Sequence, residues 1–155
     1  MELADILAVR SVLVCTDTIT KTQLFELLAD TASSASGHDR DSILSSLLER
    51  EALGSTGLGN GIAIPHGKVP GLPGVVAVFA RLGSPIDFDA MDDQPVDIVM
   101  MLLAPTGAGA DHLKALSRVA RLLRTESLVE DVRRTEEARR IFMMLTAPIE
   151  ASNAA

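Results

Sequence analysis

Val96-Asp97-Ile98-Val99-Met100-Met101-Leu102-Leu103-Ala104 is an almost unbroken aliphatic run closed by Pro105. Val75-Val76-Ala77-Val78-Phe79-Ala80-Arg81-Leu82 has the same character and is likewise bounded by Gly, Pro or Asp. A strand with one wet face alternates polar and apolar residues, whereas runs like these belong to strands covered on both faces. They predict the centre of a sheet with helices packed on each side.

The flanking sequence supplies those helices. Residues 12–15, Val-Leu-Val-Cys, read as a short strand because of their β-branched content. Thr20 and Gln23 have the spacing of a capping box, followed by an apolar stripe of Leu24, Leu27 and Leu28. The polar run of residues 33–37 is expected to end that helix. A second helix starts near Asp39, carries Ile43, Leu44, Leu47 and Leu48 at helical spacing, and ends by Leu53-Gly54. Residues 85–88 could add a short strand. Beyond Pro105 and a loop, Leu113, Leu116, Ala120 and Leu123 form a helical stripe, with Lys114, Arg118 and Arg121 opposite. Two shorter helices, about residues 126–133 and 136–145, complete the pattern, and residues 148–155 read as a flexible C-terminal tail. Strands alternating with helices in 155 residues imply one α/β domain, a sheet sandwiched between helices on both faces.

Composition narrows the function. A net charge of -7 and four Phe as the only aromatic residues besides histidine argue against nucleic-acid partners, which need clustered cations or stacking rings. The longest apolar run is too short to span a bilayer and the first residues carry no basic leader, so membrane insertion is not expected. A single cysteine, Cys15, cannot form an internal disulfide, in keeping with a cytoplasmic protein.

The unusual segment is Gly54-Ser55-Thr56-Gly57-Leu58-Gly59-Asn60-Gly61-Ile62-Ala63-Ile64-Pro65-His66-Gly67-Lys68. It is not a P-loop, which would need Gly at Ile62 and Ser or Thr at Val69, and a dinucleotide fingerprint fails at the same Ile62. The three histidines, His38, His66 and His112, lie far apart, so neither a metal site nor any cofactor is expected. Ser55 lacks the surroundings of a nucleophile elbow. His66 remains, placed after Pro65 and before Gly67 at the end of an expected strand. A neutral imidazole is a fair nucleophile towards phosphorus, and Gly67 would let a bulky anion approach the main chain. On the residues alone, His66 is either such a nucleophile or a structural histidine.

The run from Arg50 to Lys68 resembles the active-site signature of the fructose, mannitol and nitrogen-regulatory enzymes IIA of the bacterial phosphotransferase system. The resemblance continues through Asp87-Phe88-Asp89-Ala90, Pro95-Val96-Asp97 and Asp111-His112-Leu113-Lys114, and so covers essentially the whole chain. It implies a type-2 enzyme IIA domain over residues 1–147 with a mixed sheet. His66 would accept a phosphoryl group at Nε2 from an HPr-like phosphocarrier protein, Arg50 would be the phosphoryl-stabilising arginine, and His112 the second active-site histidine. The Gly54-to-Gly59 wording resembles the nitrogen-regulatory form, whose output is binding to regulatory target proteins. The competing expectations are a sugar-specific enzyme IIA serving a separate IIB domain, and a binding module that keeps the fold without transferring phosphate.

Overall fold

The computed structural model of the chain describes residues 2–147; the expected tail, residues 148–155, lies outside them. After two 3₁₀ turns (Leu3–Asp5 and Val9–Ser11), the elements run β1 (Val12–Cys15), α1 (Lys21–Ser36), α2 (Arg40–Ala52), β2 (Gly57–Gly59), β3 (Ile62–Ala63), β4 (His66–Val69), β5 (Val76–Ile86), β6 (Val96–Pro105), α3 (Ala110–Leu123), α4 (Glu126–Arg133) and α5 (Ala138–Thr146). The fold is the expected α/β sandwich, and its six-stranded sheet is mixed. The strand order is β1-β5-β6-β3-β2, with β4 also paired to β6.

β6 is the axis. Its antiparallel partner on one side is β5, with Phe79 opposite Met100. On the other side it is shared by two short parallel strands in line: β3, with Ile62 opposite Ile98, and then β4, with His66 opposite Leu102. Side chains alternate along β6 from Ile98 to Leu103. Val99, Met101 and Leu103 enter the core under α1 and α2, whereas Ile98, Met100 and Leu102 enter a second core under α3, α4 and α5.

The helix ends follow their local chemistry. Thr20 and Gln23 exchange the two bonds of a capping box at α1 (2.9 and 3.1 Å), and Asp39 accepts the Ser42 amide at α2 (3.0 Å). The polar run of residues 33–37 does end α1, but only at its last residue, Gly37, whose φ of +74° caps the helix. Ser36 bonds back to the Ala32 carbonyl (2.7 Å), Ala29 and Ala32 are packed in the core, and the helix continues to Gly37.

Three other expectations shift. Residues 85 and 86 are no separate strand; they prolong β5 past a register irregularity, and Phe88 beyond them is buried in the core. The glycine segment, where Gly54, Gly57, Gly59 and Gly61 are expected to interrupt regular structure, contains a small antiparallel pair of β2 and β3. The buried stripe of α3 is His112, Ala115, Val119 and Leu123, rotated from the expected one, so that Leu113 is 66% exposed. A strictly apolar reading missed the stripe because one of its members is a histidine.

The β2–β3 turn is pinned by ion pairing. Arg133 of α4 holds Asp97 (2.9–3.2 Å) and the Asn60 carbonyl (2.7 Å), while Asp92 accepts the Asn60 amide (3.0 Å). Gly61 has φ +81°, and a Cβ there would lie 2.5 Å from Arg133 Nη2 and 2.9 Å from Asp97 Oδ1. Gly61→Ala should therefore combine backbone strain with displacement of the Arg133–Asp97 pair and lower stability by about 1–3 kcal/mol. Urea unfolding of the two proteins checks this, and an unchanged midpoint would contradict it.

Candidate active site

Pro65 sits where the line of β3 gives way to β4. Its carbonyl accepts the Leu102 amide (2.9 Å), which keeps the chain docked on β6 across the break. His66 is accordingly the first residue of β4 and not, as expected, the last of a strand through Ile64. β4 pairs with β6 alone, so among the described residues its outer side has no strand partner. The two-residue period of the strand then decides directions. Gly67 and Val69 face α2, where a Cβ on Gly67 would be 3.3 Å from the Ser46 carbonyl oxygen, and Val69 is buried in the core under α1 and α2. His66 and Lys68 face the other way, towards α3.

Arg50 and His112 meet His66 there. Arg50, in the last turn of α2, donates Nε–H to His66 Nε2 (3.3 Å) and Nη1–H to the Gly54 carbonyl (2.9 Å). His66 Nδ1 is 2.9 Å from the Ile64 carbonyl oxygen. A carbonyl can only accept, so Nδ1 carries the proton; a guanidinium can only donate, so Nε2 presents its lone pair. Both neighbours select the same neutral tautomer, in which the Nε2 lone pair is engaged by the Arg50 guanidinium.

His112 comes from the first turn of α3 and stands edge-on to His66, with ring centroids 5.9 Å apart and planes at 79°. It is 6% exposed, and neither of its ring nitrogens has a hydrogen-bond partner. Burial lowers its pKa from the ordinary histidine value, and a charge on His66 when it is protonated and the Lys68 ammonium push in the same direction. A neutral, unpartnered imidazole close to the His66 ring is suited to donating one hydrogen bond to an oxygen placed between the rings. The N-terminus of α3 lies alongside, with no side-chain cap on Gly109, and its dipole adds favourable potential for an anion.

The three residues singled out from the sequence thus converge on one cavity of about 480 Å³, lined by Arg50, Leu53, His66, Lys68, His112 and Leu113 among others. Leu53 is 85% exposed and Leu113 66%, giving the mouth an apolar rim. His38 is elsewhere, half-buried in the turn before α2. Among the described residues no three His, Cys, Asp or Glu side chains lie together as metal ligands, and no helix is long and apolar enough to cross a membrane.

Lys68 was quoted in the motif without a role, although a two-residue spacing from His66 on a strand would have put both on one face. Glu51 and Thr56 lie in the same run, likewise with no role expected of them. The Glu51 carboxylate accepts from the Thr56 amide (3.1 Å) and hydroxyl (2.7 Å) and pairs with Lys21 (2.9 Å), contacts that only the folded loop reveals.

Comparison with known proteins identifies the family and the fold. Residues 5–147 match the family described as phosphoenolpyruvate-dependent sugar phosphotransferase system, EIIA 2. The chain is 45% identical over 148 residues to a nitrogen regulatory protein of Bradyrhizobium diazoefficiens, covering 96% of this chain and 97% of that protein. It is 40% identical over 132 residues to a phosphotransferase fructose-specific EIIA component of Haloferax volcanii, covering 84% and 86%. The crystal structure of nitrogen regulatory protein IIA-Ntr from Neisseria meningitidis superposes with a TM-score of 0.86 at 33% identity, over 93% of this chain and 99% of that one.

The lowered pKa of His112 has a consequence for stability. Above about pH 6.5 the histidine is neutral in both folded and unfolded chains. As pH falls below that value the unfolded chain takes up the proton first, so stability is lost progressively until the folded protein also binds it. His112→Asn should flatten that part of the stability-against-pH curve, measured as the difference between the two proteins. Parallel curves would contradict it.

Proposed function

Since this chain belongs to the EIIA 2 family of the phosphoenolpyruvate-dependent phosphotransferase system, we propose that it is a cytoplasmic phosphoryl carrier whose intermediate is phosphohistidine at His66. The observation that carries the reading is the hydrogen-bond state of His66: a proton on Nδ1 held by Ile64, and a lone pair on Nε2 beside the Arg50 guanidinium. In the transfer, the Nε2 lone pair attacks the phosphorus of a phosphohistidine on an HPr-like carrier protein. The new N–P bond forms as the carrier's N–P bond breaks, and the carrier's imidazole nitrogen keeps the electron pair. No proton need leave His66. Arg50 turns from Nε2 to the phosphoryl oxygens, where its planar fork can make two bonds, and His112 donates a third.

The regulatory output follows the nitrogen-regulatory relatives, which match nearly the whole chain. A phosphoryl group would place negative charge at the centre of the leucine-rimmed mouth, on a protein whose net charge is already -7. Partners docking on that rim through apolar contacts are released by the charge, while a partner presenting arginine is retained. The 40% identical fructose-specific relative supports a second reading, in which the phosphoryl group passes to a IIB domain and on to a sugar.

Incubation with phosphoenolpyruvate, enzyme I and an HPr-like carrier should give one acid-labile phosphoryl group per chain, and His66→Ala should give none while keeping the circular-dichroism spectrum. Stoichiometric labelling of the mutant would sink the assignment. Pull-downs with wild-type, phosphorylated, His66→Ala and His66→Glu proteins then separate the two outputs. Regulatory partners should differ between the neutral and charged forms, whereas capture of a sugar-specific IIB alone would favour the delivery reading.

A further inference from the structure

Arg50 and Glu51 are consecutive on the last turn of α2, so their side chains leave the helix about 100° apart. Arg50 goes out to His66; Glu51 goes in, with its side chain 8% exposed. A carboxylate so enclosed needs its lone pairs filled. Oε1 accepts the Thr56 hydroxyl (2.7 Å), and Oε2 accepts the Thr56 amide (3.1 Å) and the Lys21 ammonium (2.9 Å). Thr56 is itself only 4% exposed.

Two arms lead from this clamp to the nucleophile. The first is the reversal between α2 and Thr56. It is tied at its start by the Gly54 amide on the Glu51 carbonyl (3.1 Å), and its Gly54 carbonyl accepts Arg50 Nη1–H (2.9 Å). The second runs through the Thr56 carbonyl, which accepts the Ile64 amide (3.1 Å); the Ile64 carbonyl then accepts His66 Nδ1–H (2.9 Å). The arms meet where Arg50 Nε faces His66 Nε2 at 3.3 Å. We propose that Glu51 is a positioning residue for phosphoryl transfer: by clamping Thr56 it fixes the Gly54 carbonyl that aims Arg50 and the Ile64 carbonyl that sets the His66 tautomer. This rests on the reading of Arg50 and His66 as the transferring pair.

Gln weakens this clamp. Its single accepting atom can serve the Thr56 amide and Lys21 only with its NH2 on the Thr56 hydroxyl, which must then turn from donor to acceptor, and the Lys21 ammonium loses the charge it pairs with. Misplacement of a positioned group by a fraction of an ångström costs transfer rate without weakening encounter with the carrier.

The test is a double-mutant cycle on transfer from a phosphorylated HPr-like carrier, with Glu51→Gln, Arg50→Lys and the pair, and with melting curves for each protein. Glu51→Gln should lower the transfer rate at saturating carrier by about ten- to a hundredfold with KM unchanged. In the Arg50→Lys background the same change should cost clearly less than it does in the wild type, because the arm that ends on Arg50 is already lost and only the arm to the His66 tautomer remains. Nitrogen-15 shifts of the His66 ring should show a fall in the Nδ1–H tautomer in Glu51→Gln alone. Additive losses with an unchanged tautomer would overturn the positioning role and leave the Arg50 reading standing. A wild-type rate for Arg50→Lys would instead overturn the Arg50 reading, and the first arm with it. Should Glu51→Gln fail to fold, Thr56→Val against Thr56→Ser carries the same question. Val should slow transfer, and Ser, which restores the hydroxyl, should recover it; equal rates for the two would overturn the proposal.

Discussion

β6 must be hydrogen-bonded along both edges and apolar on both faces, and the rest of the molecule is arranged to meet that demand. One edge is met by β5 along most of its length. The other is met in two pieces, β3 and β4, and the junction between them is where the chain departs from regular pairing while still docking through the Pro65 carbonyl. The two helical layers cover the two faces, and each sends one residue to that junction: Arg50 from α2 and His112 from α3. The site is a place where a strand that cannot be left unpaired is paired discontinuously, between layers that hold its two sides at fixed height.

The sequence disclosed the parts of this that depend on local pattern. Residues 75–82 and 96–104 carry enough continuous apolar character to identify the sheet centre, and Thr20, Gln23 and Asp39 mark helix starts by direct side-chain chemistry. Where tertiary packing overrode local preference the reading slipped. Ser33, Ser34 and Ser36 would favour an earlier end, but α1 is held as far as Gly37 by buried Ala29 and Ala32. The stripe of α3 was displaced because His112 occupies a buried position that an apolar count skips. His66 stood out from its local sequence, whereas Arg50 and His112 came from the family resemblance; spacing could not have joined to it residues 16 and 46 positions away on different helices. Glu51 and Thr56 had no signal at all, because their meaning depends on a reversal that brings a helix end back to a loop amide.

Electrostatics at the site is asymmetric. His66 has both nitrogens engaged, whereas His112 has neither, although it is the more buried of the two. A buried imidazole without partners costs roughly 1–3 kcal/mol relative to a satisfied one. Binding an oxygen that accepts from it recovers that cost, so the group that arrives is favoured by the defect it repairs. The carbonyl at Ile64 works differently, since it is already occupied and serves to decide which His66 nitrogen carries the proton and which presents its lone pair to Arg50.

The open side of β4 has a meaning beyond chemistry. An unpaired strand edge offers a row of backbone donors and acceptors on which another chain can add itself, the usual route to edge-to-edge aggregation. Here the edge is four residues long, begins just after a proline that has no amide to give, carries an exposed lysine at Lys68 and has the Arg50 guanidinium laid against its first residue. Each of these is a known way of making an edge unattractive to a neighbour. The cations that suit the cavity to an anion therefore also protect the protein from its own copies, and replacing them exposes a solubility hazard alongside any loss of transfer.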